Sequence, residues 1–211
     1  MRSALVIVCI LVVYACHEPQ AIPGQLAIEW KKDLKGDFTF ANQWDYPAGV
    51  YKNEYGQLSC DGFCPPETDA MKDLQGRIID DSLSAFYQWV DTTHQVHSLQ
   101  SEAQCPEWAG TDYMFATRVQ DTIVCYSLCN AATHCSLRLR LIHNTCMASV
   151  LLQSITGRTT TYLLERGYIK IDPEQLQKGI LKAAFQLDFG KDRLSGKPVL
   201  WKGLIYTKVQ S

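Results

Sequence analysis

The chain has 211 residues, 46% hydrophobic and 20% charged, which is enough apolar side chain for a real core within the size of one domain. Its net charge of −2 excludes recognition of nucleic acid through a basic field. There is no internal repeat and no low-complexity segment.

The first residues form a targeting segment. Arg2 supplies a positive end, and Ala4 to Val13 form an apolar run. That run is too short for a membrane-spanning helix of about 20 residues. It leads into Leu11-Val-Val-Tyr-Ala-Cys16, with aliphatic Val13, small Ala15 and then the cysteine. Apart from Tyr14, which stands where a small residue is usual, this resembles the lipobox of bacterial lipoproteins. The resemblance covers only these first 16 residues. It implies that 1–15 are a signal peptide and that Cys16 is lipidated and becomes the mature N-terminus. It also implies a bacterial cell envelope address, lipid-anchored to a membrane and facing the periplasm or the exterior. Val13-Tyr-Ala15 also fits an ordinary secretory cleavage site, so plain secretion is the alternative. Residues 16–24, polar with Pro19 and Pro23, read as a tether, and 25–211 as a single globular domain.

Nine cysteines are present. If Cys9 leaves with the signal and Cys16 carries the lipid, Cys60, Cys64, Cys105, Cys125, Cys129, Cys135 and Cys146 remain. An exported chain meets an oxidising compartment, so disulfides are expected, and the odd number leaves at least one free thiol.

Gln25 to Lys35 reads as a short helix carrying Leu26, Trp30 and Leu34. Phe38 to Tyr55 is aromatic and punctuated by Pro47 and Gly49, a strand pair or packed loop whose rings lie over a sheet. Gly56 to Pro66 is a loop in which Cys60 and Cys64 can close a local disulfide. Pro65-Pro66-Glu67 opens a helix to about Leu74. From Asp81 a further helix places Leu83, Phe86, Tyr87 and Val90 on one face. Continued, it would bring His94 and His97 to that face. Thr92 and Thr93 are β-branched, however, and the residues after them alternate, so a strand is preferred and the two imidazoles then point to opposite sides.

Gln100 to Asp112 is a polar connection holding Glu107 and Trp108. Strands follow over 113–119, 121–128, 135–143, 146–153, 159–165 and 167–171. On the third of these Leu137, Leu139 and Leu141 face one way and Arg138 and Arg140 the other. Cys129 and Cys135 flank a polar loop and are candidates for a disulfide across a hairpin. Cys125 and Cys129 are excluded as a pair if both lie in one strand, since four extended residues span about 13 Å. Asp172-Pro173 caps a single helical turn. The C-terminal hairpin pairs Ile180–Phe189 with Val199–Val209. It sets Leu181, Ala183, Phe185, Leu187 and Phe189 on an apolar face and Lys182, Gln186 and Asp188 on a wet one.

The pattern predicts an α+β, β-dominant fold: an antiparallel β-sandwich or partly closed barrel with one or two N-terminal-side helices. No nucleophile elbow, zinc-protease helix or dinucleotide loop occurs. The candidate ligand-binding residues are His94, His97, Glu107 and Trp108, polar and aromatic groups near strand ends that can line a mouth. The expected function is a lipid-anchored, exported ligand-binding or protein-interaction module with no chemistry of its own, no cofactor and no nucleic-acid partner. Its partners are the membrane, through the lipid, and a small ligand or envelope protein. The alternatives are a metal-dependent hydrolase centred on His94 and His97, and a structural envelope component. A Cys16→Ser chain should be released from membranes, because the acyl chains supply most of the anchoring free energy. A mature chain shown by mass spectrometry to begin beyond Cys16 would contradict it.

Overall fold

The computed structural model describes residues 24–45, 50–52, 58–60, 73–75, 77, 95–129 and 133–211. Cys16, Cys64, His94 and the helix predicted from Asp81 lie outside them. Most of the helix predicted to end near Leu74 also lies outside them; at its predicted end stands a turn held by the Asp73 carboxylate, which accepts from Gln75 N (2.9 Å) and Arg77 N (2.8 Å).

Eight strands close into a barrel. In ring order they are β1 (Gln25–Trp30), β12 (Arg166–Ile171), β13 (Ile180–Lys191), β14 (Pro198–Gln210), β7 (Met114–Val119), β8 (Thr122–Ser127), β9 (Cys135–Ile142) and β10 (Thr145–Gln153). Two further strands extend it: β6 (Leu99–Gln104) along β14, and β11 (Thr159–Leu163) along β10. Four short strands form two small pairs: β2 (Trp44–Asp45) pairs with β5 (Gln95–Val96), and β3 (Val50–Lys52) with β4 (Leu58–Cys60). The described helices are a 3-10 turn at Thr39–Asn42 and α1 (Pro173–Gln177).

Two predicted elements are corrected. Within Gln25–Lys35, Gln25–Trp30 is a strand and the rest a turn, with no helix, because Leu26 and Ile28 also fit a period of two and two neighbouring strands claim the backbone. Residues Gln25–Ala27 pair with β10, and Ile28–Trp30 run parallel to β12. The polar stretch after His97 is strand β6, and its burial alternates under polar side chains because one face lies on β14.

The core is the barrel interior. Leu137, Leu139 and Leu141 from β9 meet Leu181, Ala183, Phe185, Leu187 and Phe189 from β13, with Val199, Trp201 and Ile205 from β14. Phe185 and Leu187, on the apolar face that the alternation predicted, are at most 2% exposed, as are Trp201 and Ile205 across the hairpin. A small barrel of this strand number has an interior that side chains can fill. Gly203 faces Phe185 across the β13–β14 pair and Ser101 across the β14–β6 pair. A Cβ there would overlap the Gln100 carbonyl oxygen and lie 2.9 Å from Ser101 Cα, so only glycine lets β6 approach so closely.

The outer face of β13 is less uniform than predicted. Lys182 is half-buried, with its ammonium 4.6 Å from the centre of the Phe38 ring, because the segment before the 3-10 turn folds over it. Asp172 caps α1 as predicted, accepting from Glu174 N (3.0 Å) and Gln175 N (3.1 Å), and it also takes Leu34 N (3.3 Å). Burial alone would raise its pKa, but these backbone donors and the Lys182 charge outweigh that and hold it below the ordinary carboxylate value.

Phe185→Ala should cost about 3–5 kcal/mol, the usual loss for a buried phenylalanine. Gln186→Ala, one residue along and facing out, should change stability by no more than about 0.5 kcal/mol. Urea denaturation of both variants checks this, and equal midpoints would mean the faces are inverted.

Candidate functional site

The predicted site residues separate. His97 lies between β5 and β6, its N–H on Gln43 O (2.9 Å) and its ring edge-on to Tyr113 at 5.6 Å. Glu107 and Trp108 follow the other end of β6, which at about 3.3 Å per residue is roughly 20 Å away. The structure therefore brings Glu107 and Trp108 together with Cys135, and leaves His97 at the opposite end of the barrel.

At the Glu107 end, the segment 105–110 crosses to the start of β9. His134 N donates to Glu107 O (2.9 Å), Thr133 Oγ1 to Gly110 O (2.7 Å) and Ala109 N to Thr133 Oγ1 (3.2 Å). Glu107 itself has a left-handed backbone, φ 53°. Its carboxylate accepts from Ser154 Oγ and from Ile155 N (2.9 Å), and lies 3.3 Å from His134 Nδ1. The Ser154 bond first, then the Ile155 N–H, lower its pKa. Trp108 points inward and packs edge-on against Trp201 at 5.8 Å. Its Nε1 is buried with no acceptor among the described residues.

Beside this segment, Asp192 is buried and saturated. It accepts from Tyr162 OH (2.8 Å), Ser195 N (2.8 Å) and Ser195 Oγ (2.7 Å). The two Ser195 donors and then the tyrosine bring its pKa down to about 2. Burial, then the Asp192 carboxylate, push the Tyr162 phenol up. Carboxylates held this way are fixed anions and poor proton acceptors near neutral pH, so the cluster braces the barrel end. Among the described residues, no group of three His, Cys, Asp or Glu could hold a metal ion.

The cysteines also differ from expectation. Cys129 and Cys135 flank the β8–β9 connection as predicted, but both are free thiols. The Cys135 sulfur touches that of Cys105 at 2.8 Å, whereas the Cys129 thiol is pushed up by burial. Cys125 and Cys146 are buried in the core, and burial pushes both thiols up, Cys146 to about 12, which leaves them inert.

One open concave surface lies on the outside of the barrel. A groove of about 570 Å³ runs over β8, β9 and β10. The β-pairing sets Tyr126, Arg138, Ser149 and Leu163 in one row, and Val124, Arg140 and Met147 in the next. Tyr126 is 45% exposed, Leu163 54% and Met147 37%. Phe115 supports the tyrosine, with ring centres 5.2 Å apart. Among the described residues no carboxylate lines the groove and neither arginine forms an ion pair. Sequence reasoning placed both arginines opposite the leucines of β9 without marking them as a site. The signal was the alternation, but their apolar flanks come from three other strands.

Asp192 contributes stability that is fully present above its ordinary carboxylate pKa of 3.8 and is lost as the pH falls through about 2. Asp192→Asn should therefore be less stable at pH 7 and converge on the parent between about pH 4 and pH 2. Urea midpoints measured from pH 7 to pH 2.5 check this, and a constant gap across the range would contradict it.

In comparison with known proteins, no family model, no curated protein and no solved structure matches the chain.

Proposed function

We propose that the chain is an exported protein of the bacterial envelope, anchored through lipid on Cys16, and that it works as an interaction module on the outside of its barrel. The carrying observation is the groove of Arg138 and Arg140, two cations without a carboxylate partner among the described residues, set between Tyr126, Met147 and Leu163. Among the described residues the interior is occupied by Trp201, Phe185 and Phe189, with Trp108 packed against them. A face of this charge, on a chain whose net charge is −2, suits a carboxylate-bearing segment of a partner protein, with aliphatic side chains between its acids. The guanidinium groups would take the carboxylates in charge-assisted bonds, and the tyrosine, methionine and leucine would take the apolar positions. No observation favours the hydrolase reading on His94 and His97.

A fluorescently labelled peptide of alternating Glu and Leu tests this by anisotropy. Binding should weaken with salt and fall at least about tenfold in the Arg138→Gln/Arg140→Gln chain, since charge-assisted bonds contribute about 1.5–3 kcal/mol each. Both positions are exposed, so the melting temperature should hold. Equal affinity in parent and double variant would overturn the proposal.

A further inference from the structure

The thiols of Cys105 and Cys135 are in contact through backbone that holds them there. Cys105 follows the end of β6, and Cys135 opens β9, strands that do not pair with each other. Three hydrogen bonds, from His134 N, Thr133 Oγ1 and Ala109 N, zip the flanking segments together. The 2.8 Å approach of the sulfurs is therefore fixed by two lengths of main chain and not by one side-chain rotamer. The Cys135 thiol is buried and also donates to Pro106 O, whereas Cys105 is half-buried and lines a groove of about 430 Å³ with Gln104, Ser195 and Lys197.

We infer that Cys105 and Cys135 form a disulfide that clamps the Trp108 segment across the end of the barrel, and that Cys129 stays reduced. The reaction partner is a small disulfide. The Cys105 thiolate, reached through the groove, attacks one sulfur of the donor and releases one thiol. The Cys135 thiolate then attacks the Cys105 sulfur and releases the second. The protein loses two protons and two electrons, and the donor disulfide becomes two thiols. The Cys135 thiol is held protonated chiefly by its hydrogen bond with Cys105 and then by burial. The bond would close a loop between positions 30 apart and tie β6 to β9 outside the barrel's own ladder.

The experiment uses the full chain exposed to oxidised glutathione, blocked with N-ethylmaleimide and digested with trypsin without reduction. Cleavage after Arg77, Arg118 and Arg138 leaves Cys105 alone on one peptide and Cys125, Cys129 and Cys135 together on the next. Mass spectrometry should find the two peptides joined in the parent and in Cys129→Ser, and separate in Cys135→Ser. Reduction should lower the melting temperature of the parent and of Cys129→Ser by about 4–16 °C, the usual effect of one disulfide in a chain of this size. Failure of the peptides to join in the parent, or loss of the join in Cys129→Ser, would overturn the inference. The parent's own digest decides even if Cys135→Ser does not fold. The outcome is independent of whether the outer groove binds an acidic segment.

Discussion

The barrel depends on six residues of β1. Its first half pairs antiparallel with β10 and its second half runs parallel to β12, so one short strand satisfies two sheet edges that would otherwise stand open. The other side of the ring closes in the same divided way: β14 gives its first half to β6 and its last residues to β7. Backbone hydrogen bonding thereby becomes continuous around the ring, and every strand has a defined inside. The apolar face of the C-terminal hairpin and the leucines of β9 then have only each other to meet.

Closure with large side chains inside has a consequence for chemistry. Trp108 and Trp201 stack near one end, and the polar groups around them are committed to holding the crossing segment down. Glu107 and Asp192 resemble catalytic acids by type and neighbourhood, yet each already accepts several hydrogen bonds, and their depressed pKa values record that engagement. A carboxylate whose lone pairs are filled by serine and backbone donors is a strut. The same tight backbone packing brings two thiols into contact on strands that do not pair.

The groove proposed for binding consequently lies on the outside. On β9 the leucines turn inward and the arginines outward, and closure curves β8 and β10 so that an aromatic and two aliphatic side chains border the cations. The contrast with β12 and β14 is instructive. There Arg166 meets Asp188 at 2.7 Å and Lys202 meets Glu102 at 2.8 Å, so that surface carries its own counterions. Arg138 and Arg140 have none among the described residues.

The sequence by itself determined the strands from Met114 onward, the inward faces of β9 and β13, and the Asp172 cap. These depend on side-chain alternation and one local turn, which neighbouring residues specify. It also placed Cys129 and Cys135 on either side of one connection. Only the tertiary structure decided the rest. Gln25–Trp30 has a pattern compatible with helix or strand, and the two edges waiting for it made it a strand. The polar β6 became a strand because β14 accepted it, with Gly203 removing the Cβ that would have kept it away. His97 parted from Glu107 because an extended β6 lies between them. Cys135 met Cys105 because ring closure brings the end of β6 to the start of β9. Each of these outcomes is a contact between segments distant in the chain, and local periodicity carries no information about which distant edge will be open.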